Sequence, residues 1–155
     1  MPILDLPDFA AALPRGAPVV GLDPGEKTIG VAVSDASRKI ASPLELIRKT
    51  KFTADAQSLF KAMDSRGAAG IVIGLPVNMD GTEGPRCQSS RAFARNLLRL
   101  KDIPIAFWDE RMSSMAVNRM LIGEADMNRA RRTEVVDKAA AGWILQGALD
   151  RLANA

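Results

Sequence analysis

Three acidic residues of this chain stand at positions suited to chemistry. Asp23 closes the apolar run Val19-Val20-Gly21-Leu22, and Glu110 closes a second, Ile103-Pro104-Ile105-Ala106-Phe107-Trp108-Asp109. Asp137 lies in a third apolar stretch, Val135-Val136-Asp137-Lys138-Ala139-Ala140-Ala141, which reads as a helix. The chain has no histidine and 1 cysteine. A histidine-activated serine or cysteine nucleophile is therefore excluded, and so is a zinc site of the usual Cys/His kind. Carboxylate chemistry remains, and three converging carboxylates are hard oxygen ligands suited to Mg²⁺ or Mn²⁺. Singly, an acid at a strand end is more often a cap for the next turn, so the reading rests on the three together.

Neighbouring residues sharpen this set. Asp109 competes with Glu110, but successive strand residues face opposite sides, so only one of them can join the site. Asp137, beside Val136 and an alanine run, falls on or near the buried stripe of its helix, where an unpartnered carboxylate costs several kcal/mol. Glu134 shares that helical face and reads either as a fourth ligand or, preferably, as a first-turn acid complementing the helix dipole. Asp35 and Asp80 follow turn-forming contexts and read as turn residues.

Each carboxylate has cations nearby. Lys27 follows Asp23, Arg111 follows Glu110, and Arg131, Arg132 and Lys138 surround Asp137. Such pairing suits a site that holds a phosphodiester together with its metal ions, although the same cations could simply neutralise the acids. Pro24-Gly25-Glu26-Lys27 and Gly74-Leu75-Pro76-Val77-Asn78 are glycine-bearing loops of a kind that can cradle phosphates, with Asn78 a candidate contact. Neither matches a P-loop or a dinucleotide fingerprint. Arg91, Arg95 and Arg99 recur at helical spacing and read as a solvated face. With 5 Phe, 2 Trp and no Tyr, no stacking platform for single strands is visible.

The elements that must position these residues follow from hydrophobic periodicity. Val19–Asp23 is a buried strand, joined by a four-residue turn to Thr28–Ser34, which alternates strictly. Its large residues Ile29, Val31 and Val33 share one face, while Gly30, Ala32 and Ser34 share the other. The small face invites close approach by a helix or a ligand. Ile40–Ile47, interrupted by Pro43, fits a strand at the sheet edge. Phe52–Arg66 is a helix ended by Gly67, Gly70–Gly74 a short apolar strand, and Glu83–Leu100 a helix with Phe93, Leu97 and Leu100 facing inward. Pro104–Trp108 is a further buried strand, and helices over Ser113–Ile122 and Thr133–Leu152 finish the chain. The order predicts an α/β fold in which an antiparallel hairpin and edge strand join parallel strands in one mixed five-stranded sheet flanked by helices. Asp23 and Glu110 then lie at the carboxyl ends of strands, where ligands gather in such sheets.

The 155 residues make one domain (17–155) preceded by an extension over 1–16 with a short helical patch from Asp8 to Leu13. Hydrophobic residues make up 47% and charged ones 25%, the balance of a soluble globular protein. No apolar run reaches the roughly 20 residues that span a bilayer, and the acidic N-terminus is unlike a secretory signal. A lone Cys87 allows no internal disulfide, which fits a reducing cytoplasm. The formal charge of +3 is compatible with a polyanionic partner without requiring one.

The stretch Gly21-Leu22-Asp23-Pro24-Gly25-Glu26-Lys27-Thr28-Ile29-Gly30-Val31-Ala32-Val33-Ser34-Asp35 resembles the first motif of the YqgF family, the RuvX-like Holliday junction resolvases. Three later segments agree in order and spacing: Gly74-Leu75-Pro76-Val77-Asn78-Met79-Asp80-Gly81, then Asp109-Glu110-Arg111, then Val136-Asp137-Lys138-Ala139-Ala140. The likeness covers about residues 18–152. It implies an RNase H-like fold, a metal-dependent nuclease site at Asp23, Glu110 and Asp137, and a bacterial role in maturing the 16S ribosomal RNA precursor. Thr28 stands where the family often has arginine, which removes one phosphate contact. Met112-Ser113 stands where it often has leucine-threonine, which keeps a hydroxyl.

The function expected is that of a cytoplasmic endonuclease acting on RNA, within ribosomal precursor particles, through two divalent ions. Asp23, from the central strand, would bridge the ions, with Glu110 and Asp137 each holding one side. Lys27, Asn78, Arg111, Arg131, Arg132 and Lys138 would contact nucleic acid. Junction resolution on DNA and a non-catalytic assembly factor are the alternatives. An ATP-binding module of the actin and sugar-kinase type is a further rival, but it needs two such domains around a cleft, and this chain has room for one.

Overall fold

The computed structural model of the chain describes residues 3–112 and 129–153, with side chains in the second stretch from 139 onward. Its strands and helices, in order, are β1 (Ile3–Leu4), α1 (Leu6–Ala12), β2 (Val20–Pro24), β3 (Thr28–Ser34), β4 (Ala41–Arg48), α2 (Phe52–Arg66), β5 (Ile71–Leu75), α3 (Pro85–Leu100), β6 (Ile105–Asp109) and α4 (Arg129–Ala153). A 3₁₀ turn over Glu110–Met112 follows β6. The helix expected over Ser113–Ile122 lies outside the described residues.

The sheet has 6 strands in the order β1-β6-β5-β2-β3-β4. β2 and β3 are antiparallel, as are β3 and β4, whereas β2, β5, β6 and β1 run parallel. An antiparallel meander feeding parallel crossovers, with β2 in the interior, is the RNase H-like arrangement. The expected five strands become six because Ile3 and Leu4 pair with Ile105 and Ala106. Two residues are too few to leave a periodic signal. The short helix behind them begins at Leu6, capped by Asp5, whose carboxylate accepts the Asp8 amide at 2.9 Å. Its Phe9 and Leu13 fill the space that a side chain on Gly70 would need.

Strand alternation divides the core into two layers. Val20, Leu22, Ile29, Val31, Ile71, Ile73 and Ile105 face α2 and α3, where Leu59, Met63, Phe93 and Leu97 meet them. On the other side Ala32, Val72, Ala106 and Trp108 face α4, which contributes Ala140, Ala141, Ile144, Leu145, Ala148 and Leu149. The small face expected on β3 is thus the seat of a helix. Leu100, expected inside, is 49% exposed because α3 ends there and the chain turns outward. β4 is an edge strand as expected, and its pairing slips between Val31 and Ala32 opposite Pro43. A proline without an N–H is tolerated at such an irregularity.

Helix α4 lies very close to the sheet. A Cβ on Gly21 would sit 2.6 Å from the Leu145 Cβ and 3.1 Å from the Ala141 carbonyl. On the helix itself, a Cβ on Gly147 would meet the Trp108 ring at 2.9 Å. Gly21→Ala should therefore overpack this layer and cost about 1–3 kcal/mol. That corresponds to a fall in melting temperature of roughly 2–4 °C per kcal/mol for a chain of this size. An unchanged melting temperature would show that α4 does not pack on β2 in this way.

Candidate active site

Asp23 is the next-to-last residue of β2 and is 8% exposed. Val19 and Gly21 face α4, so alternation puts Asp23 on that side too. Across β6 the even residues Ala106 and Trp108 also face α4, and Glu110 follows them into the 3₁₀ turn. Between these strands runs β5, with Gly74 paired to Trp108. The β2–β5 register ends with Leu22 beside Ile73, and one residue further would set Asp23 beside Gly74. Neighbouring strands lie about 4.8 Å apart, so Asp23 and the end of β6 flank Gly74 from either side. Glu110 reaches in over that glycine: its Oε1 lies 3.4 Å from where a Cβ on Gly74 would be, and the same Cβ would run into Ile144. Asp23 and Glu110 thus stand on either side of Gly74 on one sheet face, with the Ile144 side chain over the glycine.

The run of α4 is fixed by its contacts. Gln146 accepts the Ala41 amide at 2.8 Å and donates to the Lys39 carbonyl at 2.9 Å, both at the start of β4. One turn earlier, Gly142 lies beside Pro43. Pro43 pairs with Ala32, which pairs with Gly21. The helix therefore runs from the carboxyl end of β2 toward its amino end. Position 137 precedes Gly142 by five residues, about 7.5 Å at 1.5 Å per residue. That equals about two strand residues, which brings the backbone of position 137 level with Asp23. It falls in the helical stripe of Ala141, Ile144, Leu145 and Ala148. The side chains of Asp137, Glu134, Arg131, Arg132 and Lys138 lie outside the described residues. Among the described residues, no cluster of three Asp, Glu, His or Cys forms.

Asp109 behaves as alternation requires. It pairs across to Leu75 and accepts from Arg111 at 2.7 Å through Nη2 and at 2.9 Å from the Arg111 amide. The Arg111 guanidinium holds the Asp109 carboxyl below the usual carboxylate range, and Asp109 in turn raises the guanidinium. Arg111 Nη1 also reaches the Met79 carbonyl at 3.5 Å, bracing the loop after β5. Within that loop Asn78 closes a tight turn: its Nδ2 donates to Thr82 Oγ1 at 3.0 Å and its amide to the Thr82 carbonyl at 2.9 Å. Asp80 accepts the Thr82 amide at 2.9 Å and is a turn residue, its carboxyl lowered chiefly by the Thr82 hydroxyl. Asp35 likewise orders the β3–β4 turn, accepting from Ser37 Oγ and from the amides of Lys39 and Ile40. Those bonds hold its carboxyl down at about 2. Lys27 is exposed in the β2–β3 turn.

Sequence periodicity misjudged one cation. Arg91 is not simply solvated: it forms two hydrogen bonds to Glu83, at 2.7 and 2.8 Å, and lies 5.1 Å from the Phe107 ring centre. The two residues are eight apart, a spacing that carries no helical signal because Glu83 precedes the helix. Lys49 and Arg86 also went unnoticed, since neither adjoins a motif acid. They line a cleft beside the β2–β3 turn.

The chain thus carries two carboxylates, Asp23 and Glu110, at the carboxyl ends of parallel strands of an RNase H-like sheet. The family model described as RuvX, Holliday junction resolvase, matches residues 17–151, and the chain belongs to that family of hydrolytic nucleases. It is 76% identical over 155 residues to a Phenylobacterium zucineum protein named "Putative pre-16S rRNA nuclease", covering 99% of each chain. A Caulobacter vibrioides protein of the same name is 73% identical over 153 residues, covering 98% of each. Among solved structures the chain is similar to T. thermophilus RuvC in complex with Holliday junction substrate. That likeness has a TM-score of 0.49 at 9% identity and covers 88% of this chain and 96% of the other.

The Asp109–Arg111 contact makes a pH prediction. Because the folded carboxyl is lowered, its contribution to stability is present above the unfolded value and is lost as pH falls through the folded one. Arg111→Ala should move the Asp109 titration, followed by carboxyl NMR, up toward 3.8, the ordinary aspartate value. A titration that stays where it was would mean that Arg111 does not hold this carboxylate.

Proposed function

We propose that the protein is a metal-dependent endonuclease that hydrolyses phosphodiester bonds in RNA, with the 16S ribosomal RNA precursor as its natural substrate, in the bacterial cytoplasm. The observation that carries this reading is the placement of Asp23 and Glu110 at neighbouring strand ends on either side of Gly74, on one face of the sheet. Asp137 supplies the third carboxylate, from a helix whose backbone at that position is level with Asp23. The names of the relatives support the RNA substrate. Among the described residues no helix is long and apolar enough to cross a membrane, and a precursor-RNA nuclease works where ribosomes assemble.

The donor set fits the ions. Carboxylate oxygens suit Mg²⁺ or Mn²⁺ and match softer metals poorly. Two such ions, when bound, supply an activated water and stabilise the leaving oxygen of an in-line displacement. Asp23, on an interior strand with neighbours on both sides, is the most rigidly placed ligand and is suited to span both ions. Glu110 would hold these ions from the 3₁₀ turn, and Asp137 from α4. Gly74, without a side chain, leaves room for Ile144 and for Glu110 to reach over the strand. Lys27 extends from the turn after Asp23 toward substrate phosphates, while Arg131, Arg132 and Lys138 supply positive charge along the first turns of α4. Asn78 and Arg111 act differently from the other candidates. Their hydrogen bonds make them a brace for the loop after β5, with Arg111 offering substrate only the part of its guanidinium that Asp109 leaves open.

The description of the family model favours a second reading, cleavage of four-way DNA junctions. Offering a precursor 16S RNA fragment and a four-way junction at equal concentration, with Mn²⁺ and then Mg²⁺ at moderate salt, separates the two. RNA should be cut faster. Asp23→Asn should lower that rate by at least about 100-fold, the scale of losing one electrostatic stabiliser. Asp137→Asn keeps the side-chain shape and should abolish cleavage without lowering the melting temperature. Symmetric junction nicking faster than RNA cleavage would overturn the choice of substrate. Retained cleavage in Asp137→Asn together with a fall in melting temperature would make Asp137 a structural residue.

A further inference from the structure

We infer that a cleft between the β2–β3 turn and the start of α3 holds one nucleotide of a single RNA strand, with Lys49 and Arg86 contacting its phosphates. The inference rests on the nuclease reading above and extends it to a surface that none of the proposed metal ligands or nucleic-acid contacts named there lines. The cleft has a volume of about 210 Å³, enough for part of one strand and far too little for a duplex. One wall is Pro24 and Gly25, the two residues that follow Asp23, so the cleft lies at the same end of β2 as the central carboxylate, on the α3 side of the sheet. The other wall is one face of α3, where Pro85, Arg86, Ser89 and Phe93 succeed one another at helical spacing. Lys49 closes the end, and its amide donates to the Lys27 carbonyl at 2.9 Å, tying the end of β4 to the turn.

The lining suits a nucleotide. Phe93 and Pro24 give it an apolar floor, and the Phe93 ring is held edge-on by Phe52 at 5.5 Å. Ser89 offers a hydroxyl, and Gly25 presents bare backbone, where a Cβ would crowd the Thr28 carbonyl at 3.1 Å. Lys49 and Arg86 give two positive charges against the single acid Glu26. These cations differ from Arg91 and Arg111, which are bound by Glu83 and Asp109. Among the described residues, neither Lys49 nor Arg86 has an ion pair, and both side chains are exposed. Their charge is therefore available to a phosphate. A floor for the sugar or base with cations at the rim is how sequence-independent single-strand grooves are built.

The test is the salt dependence of binding. A fluorescently labelled single-stranded RNA about 12 nucleotides long is titrated with wild type, Lys49→Ala, Arg86→Ala, the double variant, and Arg66→Ala. Arg66 ends α2 at the far edge of the fold, so it controls for loss of bulk charge. Each cleft variant should flatten the slope of log Kd against log salt by about 0.7, and the double variant by about 1.4. In cleavage of the same RNA with Mn²⁺, the double variant should raise KM and leave kcat near wild type. Arg66→Ala should leave the slope unchanged. If wild type binds and cleaves RNA but the double variant keeps its slope, or Arg66→Ala flattens it equally, the cleft assignment is wrong and the nuclease reading stands. If wild type neither binds nor cleaves RNA, the nuclease reading falls and the cleft assignment falls with it.

Discussion

The close seat of helix α4 on the sheet is the constraint on which the rest of the structure depends. Gly21 and Gly74 on the strands and Gly147 on the helix leave no room for a Cβ, so backbone meets side chain across the layer. Ile144, Leu145 and Leu149 are thereby buried to 1% exposure or less. Each contributes about 1.5–3 kcal/mol by leaving water. The same small residues decide what can happen at the carboxyl end. Gly74, between the ends of β2 and β6, makes room for Ile144 and the Glu110 carboxylate, and the line of α4 carries the backbone of position 137 back to the level of Asp23.

The electrostatic layout follows a division of labour among the cations. Arg91 is held by Glu83 and stacked over Phe107, and Lys101 lies beside Asp64 and 5.3 Å from the Phe60 ring centre. These pairs support the α2 and α3 layer, and as partly exposed ion pairs each contributes little to stability. Arg111 braces one loop against Asp109. A net charge of +3 on 155 residues therefore understates how unevenly free positive charge is distributed. Lys27, Lys49 and Arg86 are exposed at the end of the sheet where Asp23 lies. Such local charge lets a chain of modest net charge serve a nucleic-acid substrate.

Most of the fold was legible because its elements are long and strongly periodic. β3 gave both its faces, α2 its stripe and its Gly67 stop, and β4 its edge position through Pro43. Asp23 and Glu110 could be placed at one end of one sheet, and alternation showed that only one of Asp109 and Glu110 could join Asp23. Three features were not legible, for different reasons. β1 has two residues and owes its existence to β6, so no local pattern marks it. Leu100 belongs to an apolar stripe whose last member falls just past the core. Lys49 and Arg86 lie 37 positions apart in the sequence, and only folding brings them to one cleft. Pairing of Arg91 with Glu83 was hidden in the same way, by a turn that places a pre-helical residue over the helix.

The central claim is that the carboxylates gathered over Gly74 are ligands for divalent cations. Its most direct test is the melting temperature of the protein as Mn²⁺ is titrated in, without substrate. A cation bound only by the folded state raises stability by RT ln(1 + [L]/Kd), so the wild-type melting temperature should climb with Mn²⁺ concentration. Asp109→Asn, on the opposite face, should climb in parallel, whereas Asp23→Asn and Glu110→Gln should show little or no rise. A wild-type melting temperature indifferent to Mn²⁺, or an equal rise in all four proteins, would contradict the account.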